Sequence, residues 1–181
     1  MATAERNLEQ TIKSTIRDIV DFPKSGIIFK DLTPLLKNTP LCRDIVQTIA
    51  DQLRPLQLDA LACLESRGFW FGLSIAMELG IPMIPIRKKG KLPYKTIFEE
   101  YALEYGTNTI EMHTDAIEAG WRVAIHDDIL ATGGTAEATS KLIQKSQGTI
   151  VAYSFLIELN FLQGREKLMS YCSTIQSLIR Y

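Results

Sequence analysis

The chain has 181 residues, enough for one domain with a sizeable core. Hydrophobic residues make up 46% and mean hydropathy is near zero, so the composition is that of a soluble globular protein with no apolar run of membrane-spanning length. A net charge of −1 excludes a broad nucleic-acid-binding surface, and any basic site must be local.

The first twenty residues are mixed in charge and lack the apolar core of a signal peptide. Leu8, Ile12, Ile16 and Ile19 recur at helical spacing, which predicts an amphipathic helix ending before Asp21-Phe22-Pro23. Asp21 to Leu36 reads as an irregular loop punctuated by Pro23 and Gly26, with Ile27, Ile28 and Phe29 either plugging a core or lining a slot for a flat aromatic ligand. Leu41 to Leu53 is a second helix, with Ile45, Val46, Ile49 and Leu53 on its apolar face. Leu58 to Leu64 is a buried strand, and Phe69 to Leu79 the next helix. The turn Glu65-Ser66-Arg67-Gly68 lies between them, at a strand's carboxyl end, where open parallel sheets bind ligands.

Ile81 to Ile86 is a further strand, followed by Arg87-Lys88-Lys89-Gly90-Lys91. This is the concentrated basic patch of the chain; such a run is usually a solvated turn, but here it is placed to neutralise an anionic leaving group. Leu92 to Glu111 alternates loosely and reads as a strand pair. Ala119-Gly120 turns the chain into Val123-Ala124-Ile125, a buried strand followed by Asp127 and Asp128 and then by the small-residue loop Ala131-Thr132-Gly133-Gly134-Thr135. Ala136 to Gln147 is a helix, Thr149 to Glu158 a buried strand and Ser173 to Ile179 an edge strand. Strands alternating with helices imply a parallel sheet flanked on both faces.

The loop from Ala131 to Thr135 suits a phosphate. Backbone N–H groups and a helix N-terminus supply donors and partial positive charge, and glycines let the backbone approach closely. The acid pair would repel phosphate and suits sugar hydroxyls, a metal or a developing positive charge instead. Neither the P-loop pattern nor G-x-G-x-x-G occurs. Cys42, Cys63 and Cys172 are scattered and odd in number, which suggests neither a disulfide framework nor a zinc cluster and fits a reducing cytoplasm. His113 and His126 lack spaced metal-binding partners, and a core or surface role is the expectation for both; Trp70 and Trp121 are expected in the core.

VAIHDDILATGGT, Val123 to Thr135, resembles the phosphoribosyl-pyrophosphate (PRPP) signature of the type I phosphoribosyltransferases, with His126 where an aliphatic residue is more usual. With DFPKSGIIFKDLTPLL, ESRGFWFG, the basic turn and EYALEYG, the chain from about Asp21 onward is similar to the adenine phosphoribosyltransferase family. That resemblance implies a single domain over 1–181: a parallel central sheet flanked by helices, a small hood from 21–36 and 159–168, and a flexible β-hairpin lid. It implies transfer of the 5-phosphoribosyl group from PRPP to adenine, giving AMP and pyrophosphate, with Mg²⁺, in a cytoplasmic homodimer with no nucleic-acid or membrane partner.

Residue by residue, the resemblance places adenine against Phe29, Leu159 and the main chain of Ile28 and Lys30, where Lys30 replaces a common arginine. It places the 5-phosphate on Ala131, Thr132, Gly133, Gly134 and Thr135. Pyrophosphate falls to Ser66, Arg67, Arg87, Lys88, Lys91 and Tyr105, the peptide before Ser66 often being cis in the family. Asp127 and Asp128 face the ribose, Asp127 also being a possible Mg²⁺ ligand, and Glu104 on the lid is the further catalytic candidate. Three other readings stay open: the same chemistry on hypoxanthine, xanthine or orotate; a PRPP-binding regulator that catalyses nothing; and a receiver-type phosphoprotein, for which Leu64-Glu65 offers only a Glu at the earlier strand end.

Overall fold

The structure, a computed structural model, describes residues 2–102 and 107–181. Its contacts divide the chain into two compact units, Met1–Thr48 and Ile49–Tyr181.

In the first unit, helix α1 (Ala2–Thr15) is followed by strand β1 (Arg17–Val20), which pairs antiparallel with β2 (Ile28–Asp31). The helix expected to run through Val20 therefore stops five residues short. Ile12 and Ile16 keep the helical spacing and are buried, but Ile19 and Val20 are β-branched and find a partner strand across a tight turn. Asp21 at φ +59° and Gly26 at φ +85° shape that turn. The Gly26 amide donates to Asp21 Oδ1 at 2.6 Å, and the Phe22–Pro23 peptide is cis. The irregular loop expected from Asp21 to Leu36 is thus a turn, a strand and a 3₁₀ turn at Thr33–Lys37. Helix α2 (Thr39–Leu53) follows and buries Leu41 and Ile45.

In the second unit the described strands form a seven-stranded sheet of order β5-β6-β4-β3-β7-β8-β9. These strands are β3 (Ala60–Leu64), β4 (Met83–Lys88), β5 (Thr96–Ala102), β6 (Thr107–His113), β7 (Arg122–Leu130), β8 (Thr149–Glu158) and β9 (Ile175–Arg180). The neighbours from β4 through β3, β7 and β8 to β9 are parallel; β5 and β6 form an antiparallel pair joined to β4. All five residues of β3 are buried, as befits a parallel strand covered on both faces. Helix α3 (Gly68–Leu79) lies against it through Gly72, where a Cβ would come within 2.3 Å of Cys63 Sγ. Helix α4 (Gly134–Lys145) and the short α5 (Gly164–Leu168) complete the unit. Both tryptophans expected in the core are only half-buried, and Trp121 packs against the buried cluster. The sheet brings the carboxyl ends of β3, β4 and β7 side by side, and the candidate site stands there.

Candidate active site

β7 does not end at Ile125. It continues through the acid pair to Leu130 and then opens into the glycine loop. Gly133 takes φ +77° as the residue before α4, a left-handed conformation that glycine adopts without a Cβ penalty. Its carbonyl accepts the Glu137 amide at 2.8 Å, starting the helix and leaving the loop's earlier amides available to an anion. Asp127, residues 129 to 136 and Phe155 line a cavity of about 70 Å³ at this point. A larger concavity of about 420 Å³ lies within the first unit, between α1 and α2; Asp44 is the ionisable residue lining it, and none of the predicted site residues does.

The turn after β3 lies against the acids. Arg67 Nε is 2.8 Å from Asp128 Oδ2, an ion pair in which the N–H is not aligned as a hydrogen bond. A Cβ on Gly68 would fall 2.9 Å from Asp127 Oδ1 and 3.0 Å from the His126 carbonyl, so only glycine lets α3 start this close to β7. The Glu65–Ser66 peptide is cis, in keeping with the expectation for this turn. Asp127 Oδ1 accepts the Asp128 amide at 2.9 Å. Burial, with the mutual repulsion of the two carboxylates, raises the Asp127 carboxyl well above its ordinary range; burial also raises Asp128, and Arg67 opposes it. The pair is therefore poised to gain from an incoming positive charge.

The basic turn is held down by two carboxylates that sequence reasoning did not assign to the site. Glu65 Oε2 accepts Arg87 Nε at 3.0 Å and the Lys88 amide at 2.9 Å. Buried Glu111 accepts the Lys91 and Leu92 amides, each at 2.9 Å, and the Thr96 hydroxyl at 3.3 Å. Burial works to raise both acids, but these donors outweigh it and hold both carboxyls below their ordinary range. Lys89 is exposed, as expected, with Nζ 4.6 Å from the Phe98 ring centroid. The signal that could have found Glu65 was its place directly before Ser66; Glu111 offered none beyond an acid opposite a basic run.

β5 and β6 pair from Thr96↔His113 to Ala102↔Thr107, forming the arms of the expected hairpin. Glu104 and Tyr105 lie outside the described residues. Tyr101 had no assigned role, yet its hydroxyl accepts the Thr135 hydroxyl at 3.1 Å, which ties a hairpin arm to the glycine loop. Buried His126 places Nδ1 3.3 Å from Ser154 Oγ on β8, while Nε2 has no partner. Burial drives its pKa down to about 4, so it is a neutral core residue.

In the first unit, Phe29 is half-buried with Phe22 edge-on to its ring at 5.2 Å, and Lys30 Nζ donates to Asp18 at 2.7 Å. The Lys30 side chain is thus committed to a partner. Ile27 and Ile28 are 45% and 55% exposed and so do not plug the core. Leu159, half-buried in the second unit, directly follows β8.

An adenine phosphoribosyltransferase of Cytophaga hutchinsonii is 81% identical to this chain over 181 residues, all of both proteins. The crystal structure of adenine phosphoribosyltransferase from Thermoanaerobacter pseudethanolicus matches with a TM-score of 0.91 at 47% identity, covering 95% of this chain and 99% of that one. That of Saccharomyces cerevisiae, complexed with D-2,5-dideoxy-2,5-imino-altritol 1,6-bisphosphate and adenine, matches at 0.90 with 36% identity over 96% and 99%. No family model matches the chain. The acid pair, glycine loop and basic turn thus stand in a fold and a sequence shared along the whole length of these enzymes, and the chain belongs to the adenine phosphoribosyltransferase family.

Proposed function

We propose that the chain salvages purine by transferring the 5-phosphoribosyl group of PRPP to adenine, giving AMP and pyrophosphate. The observation that carries this reading is the acid pair, half-buried Asp127 and buried Asp128, leading into a glycine loop at the head of α4. The reaction needs two anion sites flanking a sugar. Ala131 to Thr135 takes the 5-phosphate on backbone amides and hydroxyls. Arg67, Arg87, Lys88 and Lys91, with Ser66 and Tyr105, take the pyrophosphate. Asp127 and Asp128 face the ribose and stabilise the cationic, oxocarbenium-like C1 that develops as pyrophosphate departs. Adenine N9 then attacks, so no covalent enzyme intermediate is needed; positioning and charge supply the catalysis.

The same reading assigns adenine to Phe29, the main chain of Ile28 and Lys30, and Leu159, and gives Glu104 the proton-handling role on a closing lid. The exposed apolar Ile27 and Ile28 support a ligand-facing rather than a core-filling segment. A hood from 21–36 and 159–168 within one functional domain is part of this proposal.

The residues present suit Mg²⁺. Among the described residues no cluster of three or more His, Cys, Asp or Glu forms a cage, yet Asp127 and Asp128 offer hard oxygen donors beside the anion sites. Mg²⁺ is commonly held by one or two carboxylates together with substrate phosphates and waters. Asp127 is the candidate ligand, and the ion's contribution is to neutralise charge on the departing pyrophosphate.

We place the protein in the cytoplasm, which the free Cys42, Cys63 and Cys172 support, and no described helix is long and apolar enough to cross a membrane. We assign a homodimer; the uncovered apolar stripe of α3, with Leu73 54% and Met77 73% exposed, supports it.

A product assay with PRPP and Mg²⁺ against adenine, hypoxanthine, guanine, xanthine and orotate tests the activity. AMP from adenine alone is expected, with a loss of about 10³-fold in the Asp127→Asn/Asp128→Asn variant. Turnover only with another base would move the base assignment, and saturable PRPP binding without turnover on any base would make the protein a regulator.

A further inference from the structure

The segment after β8 does more than carry Leu159. Its return path brings Gly164 against the glycine loop, backbone to backbone. A Cβ on Gly164 would fall 2.1 Å from the Ala131 carbonyl oxygen, 2.9 Å from the Gly133 nitrogen and 3.0 Å from the Thr132 carbonyl carbon. The fit is reciprocal, because a Cβ on Gly133 would fall 2.8 Å from the Gly164 carbonyl oxygen. No side chain can stand between these two stretches, and each admits only glycine at the point of contact.

Gly164 is itself held from both sides. Upstream, the Leu159 amide donates to the Leu130 carbonyl at 2.9 Å, and Leu130 is paired in register with Glu158. Downstream, Arg165 grips buried Glu158 with two parallel hydrogen bonds, Nε to Oε1 at 2.7 Å and Nη2 to Oε2 at 2.6 Å, while Nη1 donates to the Ile175 carbonyl at 3.0 Å. Ser177 and Arg180 on β9 satisfy the rest of the Glu158 carboxylate at 2.8 and 3.3 Å. The planar guanidinium fork fixes direction as well as distance, so the residue beside Arg165 has little freedom.

A loop that captures an anion with backbone amides must have them already converging, since any rearrangement on binding is lost affinity. A Gly-Gly stretch is the least able to hold such a shape alone. We propose that Gly164, fixed by the Arg165–Glu158 ion pair, is the backing that holds Ala131 to Gly133 in the shape that binds the 5-phosphate. Gly164, Arg165 and Glu158 are positioning residues for this loop and touch no substrate. The inference rests on the reading that this loop takes the 5-phosphate.

Four ligands separate a backing role from general damage: ribose 5-phosphate and AMP carry the 5-phosphate, whereas pyrophosphate and adenine do not. Calorimetric titration of the full-length protein is expected to show ribose 5-phosphate and AMP weakened about tenfold or more in Gly164→Ala, with pyrophosphate and adenine within about twofold of wild type. In steady state the same variant raises KM for PRPP more than it lowers kcat. Arg165→Gln shifts the values in the same direction by less, and Arg165→Lys, keeping the charge without the fork, recovers part of that loss. Equal weakening of all four ligands, or unchanged ribose 5-phosphate binding in both Gly164→Ala and Arg165→Gln, overturns the proposal. If Gly164→Ala does not fold, Arg165→Gln carries the test. Failure of the wild type to form AMP would count against the proposed reaction and leave the ribose 5-phosphate arm to decide the backing.

Discussion

The two regions of the second unit that we propose bind anions are built by opposite means. The glycine loop from Ala131 to Thr135 carries no cation; what it offers is backbone shape, set by Gly133 at φ +77° and by the start of α4. The basic turn from Arg87 to Lys91 carries four cations in five residues and is moored by Glu65 and Glu111. The first suits a phosphate that stays attached to the sugar and must be located. The second suits a charge that grows and then leaves. Fixed dipoles locate a group closely, while charges on long side chains can follow one that moves.

Gly133→Ala breaks the first arrangement and has the largest expected effect of any change to these two regions. Alanine is disfavoured at this positive φ, and its Cβ would meet the Gly164 carbonyl. Turnover at fixed PRPP is expected to fall about 10²-fold, read by steady-state kinetics, and full activity would show that the loop's shape does not matter. Glu111→Ala loosens the second arrangement by leaving the Lys91 and Leu92 amides without their acceptor. We expect a stability loss of about 1–3 kcal/mol by denaturant titration and a KM for PRPP raised about tenfold, because the turn's cations are displaced rather than removed. If neither value moves, the mooring is incidental.

The smallest effect concerns the strand beneath the loop. Folded His126 stays neutral down to about pH 4, whereas the unfolded residue protonates near 6.5. Stability contributed by the neutral imidazole is therefore fully present above 6.5 and is lost as pH falls through that window towards 4. His126→Asn should flatten this acid limb by about one proton taken up on unfolding, measured by urea titrations across the range. An unchanged slope would mean that the imidazole protonates in the folded protein as readily as in the unfolded one.

Much of this was legible in the residues. The acid pair and Thr-Gly-Gly-Thr loop announced themselves because backbone anion binding demands small residues at fixed spacing. Thr149 to Glu158 was read to its last residue because a largely buried strand is a mostly apolar run. β1 was not legible: Ile16 and Ile19 satisfy the helical period, and only pairing with Ile28–Asp31 turns the chain into a strand. Nor were the moorings. Glu111 lies 20 residues from Lys91 and Glu65 lies 22 from Arg87, and no local pattern reports such a contact. The meeting of Gly133 and Gly164 was invisible for the same reason, since a glycine does not say what stands against it.

Helix α4 meets the hairpin near both of its ends. Thr135, in its first turn, donates to Tyr101, and Lys145, its last residue, donates to the Phe98 carbonyl. Each residue of an α-helix turns the axis by about 100° and advances it by about 1.5 Å. Deleting one residue between these contacts would swing Lys145 to a different side and shorten its reach, and inserting one would do the same in the other sense. Sequence drift along the outer face of α4 is cheap, but a change in its length is not. Across related chains this stretch should vary in letters and stay constant in number.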